Sequence, residues 1–250
     1  MTKSGVLIYA SNNGTTDYES MANWSADRID RFLGLPTTII TRKAESGGSR
    51  RFDGETQPWL NTSRTDAWND SPYDETIVLD ADYIVNSDIL LRLFDMRQDF
   101  LIHQHVSDAT NRGNFAGQAT FGESKFPQSW ATVFYFNRDP WNEKILNSVK
   151  KIKANYKHFS DIYKFPDSPY RNDYAFSIAL GLHDGHILGP MHSIPWPLAT
   201  TSEDVRVSLE DDVTVLRYKN DRGKEMTNKI SGLDIHVMNK QSMEAICAGS

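Results

Sequence analysis

Glu75-Thr76-Ile77-Val78-Leu79-Asp80-Ala81-Asp82 decides the fold: an apolar run of strand length delivers two carboxylates at its C-terminal end. A short β-branched run bounded by turn residues reads as a strand buried on both faces, and such strands belong to parallel sheets covered by helices. Ser71-Pro72-Tyr73-Asp74 supplies the turn just before it. Residues two apart on a strand share a side, so Asp80 and Asp82 are expected to face one ligand. In open α/β sheets, ligands bind at the C-terminal ends of the strands.

Toward the N-terminus, Gly5-Val6-Leu7-Ile8-Tyr9-Ala10 reads as a second buried strand, closed by Ser11-Asn12-Asn13-Gly14. A helix follows, capped by Thr16 or Asp17, with Met21, Trp24, Ile29 and Phe32 as its apolar stripe and Gly34 and Pro36 as its stop. Thr37 to Thr41 is strand-like, and Arg42 to Asp53, with Gly47-Gly48-Ser49-Arg50-Arg51 inside it, is expected to be a mobile loop. Beyond Asp82 the pattern predicts a helix at about Ser87 to Phe94 and a strand at Ala131 to Phe136. A basic helix follows from Pro140 to about Tyr156, then a short one from Arg171 to Leu182. Val205 to Leu209 and Val213 to Arg217 alternate around Glu210-Asp211-Asp212 as a two-stranded hairpin, and Leu233 to Val237 is a last short strand. Strand–helix–strand units first and antiparallel strands later imply a single α/β domain: a Rossmann-like, mostly parallel sheet with a smaller antiparallel addition.

The 250 residues carry 27 Lys plus Arg against 33 Asp plus Glu, a net charge of −6, with 39% hydrophobic residues. That composition is globular and argues against indiscriminate nucleic-acid binding. Cys247 is the single cysteine, which excludes an intrachain disulfide or a Cys-based metal cage and points to a reducing, cytoplasmic compartment. No window approaches eighteen apolar residues and no signal h-region opens the chain, so no membrane partner is expected. No G-x-x-x-x-G-K, G-x-G-x-x-G or G-x-S-x-G occurs, against a P-loop NTPase, a dinucleotide enzyme or a serine hydrolase.

Four segments, in order, resemble the nucleotide-sugar glycosyltransferases of the GT-A fold, in particular the glycogenin and bacterial galactosyltransferase group. Ser71 to Asp82 is similar to the segment that carries the group's D-x-D motif, and Ser129 to Trp141 to its acceptor-side strand. Asn172-Asp173 stands where the group has a Gln-Asp or similar pair, and Ile235-His236-Val237-Met238-Asn239-Lys240 resembles its metal-binding histidine followed by a phosphate-binding lysine. Two features depart: the group's Lys-Pro-Trp ending is absent, and Ser11 and Asn12 replace an aspartate after the first strand.

The resemblance implies a metal held by Asp80, Asp82 and His236, with Lys240 on the leaving diphosphate. Arg64 would contact the donor sugar. Tyr9, Ala10, Ser11 and Asn12 would line the nucleoside pocket, and Asp173 with Asn172 would serve as base or as sugar-positioning groups. Two carboxylates and one imidazole suit Mn²⁺ better than Mg²⁺. The implied donor is a nucleoside diphosphate sugar, a UDP-sugar in the first instance. About 1–100 would form the donor half, and about 101–250 the acceptor half with the C-terminal metal-binding segment.

The chain also resembles compact phage enzymes that decorate hydroxymethylcytosine in DNA, which implies a DNA acceptor and a host-cytoplasmic setting. Lys144, Lys150, Lys151, Lys153 and Lys157, with Arg50 and Arg51, would then grip phosphates while Trp130 stacks on the extracted base. A saccharide or protein hydroxyl is the alternative acceptor. Two other classes stay open: a haloacid-dehalogenase-like phosphatase with Ile77 to Asp82 as its signature and Glu210-Asp211-Asp212 as its later acidic motif, and a non-enzymatic nucleotide- or nucleic-acid-binding module. His103, His105, His183, His186 and His192 lack partner carboxylates at ligand spacing and read as loop histidines. The metal reading requires His236 within about 10 Å of Asp82, because metal–ligand bonds near 2 Å cannot span more.

Overall fold

Alternating side chains on neighbouring strands build two apolar cores on opposite sides of one sheet. The computed structural model describes residues 3–42, 64–96, 98–115, 118–165, 169–186 and 191–249, with the backbone course of 49–52 and 55–58. Strand β1 (Ser4–Ala10) leads into helix α1 (Tyr18–Leu33) and then β2 (Thr37–Thr41). Asp17 caps α1 by accepting from the Ser20 amide, and Gly34 ends it at φ 63°, a left-handed turn that costs glycine nothing. The last part of the expected loop is instead a strand, β3 (Ser49–Phe52), which pairs antiparallel with β4 (Glu55–Pro58) just beyond it. Residues 43–48 and Asp53 of that loop lie outside the described residues, as do the side chains of Arg50 and Arg51.

The short helix α2 (Ala67–Asp70) precedes β5 (Glu75–Asp80), which is followed at once by β6 (Tyr83–Ile84). A 3₁₀ turn at Ile89–Leu91 and α3 (Arg92–Asp95) lead to β7 (Phe100–His103), β8 (Val106–Asp108) and the small pair β9 (Thr120–Phe121) and β10 (Phe126–Pro127). Next come β11 (Trp130–Asn137), α4 (Pro140–Ala154), α5 (Tyr156–Tyr163), α6 (Asn172–His183) and β12 (Leu198–Thr201). The chain closes with β13 (Arg206–Glu210), β14 (Val213–Lys219), β15 (Glu225–Ser231), β16 (Ile235–Val237) and α7 (Lys240–Ala248).

The central sheet has the order β2-β1-β5-β11-β7. β1 is parallel to β2 and β5, whereas β11 is antiparallel to both β5 and β7, so the strand expected at 131–136 runs against its neighbours. Val6, Ile8, Ile77, Leu79, Val133 and Tyr135 face the core shared with α1. Leu7, Val78, Phe134 and Phe136 face the one covered by α4 and α6. A second sheet, β6-β16-β12-β8, stands at the C-terminal end of β5, and β13-β14-β15 forms a three-stranded meander where a two-stranded hairpin is expected.

Gly5 lies where the Tyr73 ring packs on β1, and a Cβ there would stand 2.4 Å from that ring. Tyr73 is buried and its hydroxyl is 2.9 Å from Thr38 Oγ1, so the ring cannot withdraw without losing that bond. Gly5→Ala is therefore expected to lower stability by about 1–3 kcal/mol, read as a lower urea midpoint with an unchanged slope.

Candidate metal centre

The centre forms because β5 ends on Asp80 and the chain turns immediately into β6. Only Asp80 belongs to the strand. Asp82 lies in the turn that follows, which corrects the expectation of two carboxylates carried by one continuing strand. β16 pairs antiparallel with β6, with His236 opposite Tyr83, and the Val237 amide donates to the Asp82 carbonyl at 3.0 Å. This pairing carries His236 to the turn. Ligand atoms from Asp80, Asp82 and His236 all lie within 4.8 Å of one another, and His236 Nε2 is 3.6 Å from Asp82 Oδ2. The distance requirement set by the sequence is met.

Each carboxylate also meets a cation. Arg64 pairs with Asp80, and Lys240, the first residue of α7, pairs with Asp82. Burial lowers the Arg64 pKa while the charge of Asp173 opposes the shift. Burial likewise pushes His236 down to about 4, with Asp173 raising it and Arg64 lowering it further, so the ring is neutral at neutral pH. Asp173 stands at the start of α6, its Oδ1 accepting from the Ala131 amide at 2.9 Å and its Oδ2 from Arg171 at 3.1 Å. Asn172 beside it is buried.

The donor set fits a divalent cation. A neutral imidazole and two carboxylates offer one nitrogen and several oxygens, a mixture that suits Mn²⁺, and the Nδ1 of His236 is tied to Thr200 Oγ1 at 3.0 Å, leaving Nε2 toward the carboxylates. Neither Thr200 nor Arg171 stands out in the sequence. Thr200 is brought in by strand register, and Arg171 by its carboxylate partner at the α6 entrance.

The four residues at the end of β1 are placed as follows. Tyr9 is buried opposite Asp80 across the β1–β5 ladder and donates to Asp70 Oδ2 at 2.7 Å; burial, and then that contact, raise its pKa. Ala10 is in the core, and the Ser11 hydroxyl donates to the Arg42 carbonyl at 2.6 Å. Asn12 accepts from the Glu19 amide at 2.9 Å and borders an open hollow of 310 Å³ lined by residues 12–17 and Glu244.

Other expectations change. Trp130 is 7% exposed and packs edge-on against Phe115, so its ring is not presented to a base. Lys144, Lys150, Lys151 and Lys157 are exposed; Lys150 pairs with Asp66 at 2.9 Å and Lys157 with Asp161 at 2.9 Å, while Lys144 lies over the Trp141 ring and Lys153 over the Tyr170 ring. The acidic motif that a phosphatase needs beside Asp80 is engaged elsewhere: Asp212 pairs with Arg28 and Arg31, and Glu210 with Lys229. His192 is not partnerless, standing 3.1 Å from Asp184, while His183 bonds Ser148 at 3.0 Å and His103 is a core residue 3.1 Å from the Trp196 carbonyl. Among the described residues, no helix is long and apolar enough to cross a membrane.

No protein-family model and no curated protein matches the chain. Among solved structures it is similar to a galactosyltransferase, LgtC, in complex with donor and acceptor sugar analogues, at 14% identity and a TM-score of 0.43, over 70% of each chain. Mouse xyloside xylosyltransferase 1 is similar at 11% identity and a TM-score of 0.40, over 75% of this chain and 84% of that one. The glycosyltransferase GlyE of Streptococcus pneumoniae TIGR4 is similar at 15% identity and a TM-score of 0.40, over 74% of this chain and 50% of its own.

Two buried histidines give the fold an acid limit. Burial depresses His103 to about 3 and His236 to about 4, against 6.5 in the unfolded chain. Below pH 6.5 the unfolded state binds protons at these two sites that the native state refuses, so they lower stability as pH falls, by about 1.4 kcal/mol per unit each until the native pKa is reached, opposed only below about pH 6 by Asp234, whose pKa burial raises to about 6. Urea unfolding at pH 7.5 and 5.5 should show the loss, and His103→Gln should reduce its slope.

Proposed function

We propose that the chain is a metal-dependent glycosyltransferase that moves a sugar from a nucleoside diphosphate sugar to an acceptor hydroxyl. The observation that carries the reading is the convergence of Asp80, Asp82 and His236 at the end of a parallel strand, with Arg64 and Lys240 beside them. Mn²⁺, or Mg²⁺ in its place, would be held by those three residues and would neutralise charge on the leaving diphosphate. Charge balance supports the same class of ligand. Asp80, Asp82 and Asp173 oppose Arg64, Arg171 and Lys240 around a neutral His236, so a divalent cation leaves two positive charges in excess. A diphosphate ester carries two negative ones.

Roles for the chain's own residues follow from their chemistry. Lys240 and Arg64 are cations that can turn from carboxylate to phosphate or donor sugar, and the end of β1 with the residues after it, Tyr9 to Asn12, forms the nucleoside side. Asp173 is assigned to the acceptor side with Asn172. Both of its oxygens already accept bonds, from Ala131 and Arg171, which favours positioning the sugar over taking a proton. Donor binding is assigned to about 1–100 and acceptor binding to about 101–250, with His236 and Lys240 returning to the donor side.

The finer reading takes a UDP-sugar as donor and hydroxymethylcytosine in DNA as acceptor, in a host cytoplasm. What supports it is the sequence resemblance together with the exposed Lys144 and Lys151 on α4. The test is to incubate the full chain with Mn²⁺, a panel of nucleotide-sugars, and either saccharides or duplex DNA containing cytosine or hydroxymethylcytosine, then to weigh the products. A pentose or hexose increment on one acceptor is expected, with Asp80→Asn and Asp82→Asn each reducing transfer about a hundredfold or more. Transfer by either variant undiminished in chelator would overturn the metal assignment. An increment on saccharides alone would overturn the DNA acceptor.

A further inference from the structure

Thr200 lies behind the metal centre, one bond further out than the three candidate ligands. β12 and β16 run parallel with Thr200 opposite His236, so the two side chains leave the same face of the sheet. Thr200 is 1% exposed, and water does not compete for its hydroxyl. Its Oγ1 stands 3.0 Å from His236 Nδ1 and donates to the His236 carbonyl oxygen at 3.3 Å.

We propose that Thr200 is a positioning residue that holds His236 in the tautomer protonated on Nδ1, so that the Nε2 lone pair faces the metal. The inference rests on the metal reading above. A hydroxyl has one proton, and a carbonyl oxygen can only accept. With that proton on the His236 carbonyl, Oγ1 accepts from Nδ1–H. A neutral imidazole has one N–H, so Nε2 is then bare. It stands 3.6 Å from Asp82 Oδ2, and two electron-rich atoms turned toward each other call for a cation beside them. Lys240 brings its ammonium to the same carboxylate oxygen. In the opposite arrangement the hydroxyl donates to Nδ1 and an Nε2–H faces the carboxylate, and a metal ion must displace that proton before it can bind.

The test uses the metal-free full chain without nucleotide. Nitrogen-15 shifts of His236 in the wild type are expected to show Nδ1 protonated and Nε2 bare. Mn²⁺ affinity, read by electron paramagnetic resonance, is expected to fall about tenfold or more in Thr200→Val, which keeps the shape and loses the hydroxyl. Thr200→Ser is expected to stay within about threefold of wild type. An Nε2-protonated ring in the wild type, or unchanged affinity in Thr200→Val, overturns the role of Thr200. These outcomes leave the metal reading standing as long as wild-type binding is lost in Asp80→Asn. Wild-type protein that binds no Mn²⁺ overturns the metal reading and the inference together. Should Thr200→Val fail to fold, the wild-type nitrogen shifts decide alone.

Discussion

The pairing of Tyr83 with His236, two residues of β6 against the start of β16, is the constraint on which the candidate site depends. A strand of two residues contributes little pairing energy of its own, so its register has to be fixed from outside. Asp234 does this by accepting from the Asn86 amide at 2.8 Å and the Ser87 hydroxyl at 2.9 Å, while Asn86 donates from its side chain to the Leu233 carbonyl at 3.1 Å. The two segments that flank β6 and β16 are thereby locked to each other. Side chains alternate along a strand, so a slip of one residue would turn His236 away from Asp82 and put Ile235 in its place. Burial raises the Asp234 pKa to about 6, the cost of keeping this clamp away from water.

Electrostatics set the second condition. Largely buried carboxylates destabilise a fold unless each finds a cation or a hydrogen-bond donor. Around the site every one does: Asp80 has Arg64, Asp82 has Lys240, and Asp173 has Arg171 and the Ala131 amide. The cations come from a segment before β5, from the head of α7 and from the α6 entrance, so the charge balance ties together parts of the chain that share no strand pairing. Replacing any one cation with an apolar residue would leave a buried anion, and the cost would appear in stability as well as in ligand binding.

Much of this was legible in the sequence, and the misses have identifiable causes. β1 and β5 announce themselves by apolar runs, β2 by its β-branched threonines and isoleucines, and α1 by its apolar stripe with Asp17 and Gly34 as caps. β15 does not, because Asn228 occupies an inward position where alternation calls for an apolar residue, and its amide is accommodated by the Tyr218 hydroxyl at 3.0 Å. β12 is too short to carry a pattern, and with it Thr200 stays hidden. A contact made across two parallel strands from distant parts of the chain leaves no local spacing to read. Asp80 and Asp82 were visible as a pair. His236 was visible only through the resemblance of its segment, since a lone histidine in a short strand has no signature.

The relation between the two sheets follows from the shortness of one connection. Asp80 ends a strand of the five-stranded sheet, Asp82 precedes a strand of the four-stranded one, and Ala81 alone separates them. Ala81 is 4% exposed and packs in the core shared with α1, so a longer side chain there would have to displace core neighbours. The first carboxylate is thus positioned by the pairing of β5 with β1 and β11, and the second carboxylate and the imidazole by the pairing of β6 with β16. Two sheets joined through two buried residues, Ala81 and Asp82, hold three ligating groups without relying on a long loop, the arrangement in which side chains are best held before a ligand arrives. Motion then falls to the groups that are not on these strands, Arg64 and Lys240, and these are the cations that a bound anion would draw away from the carboxylates.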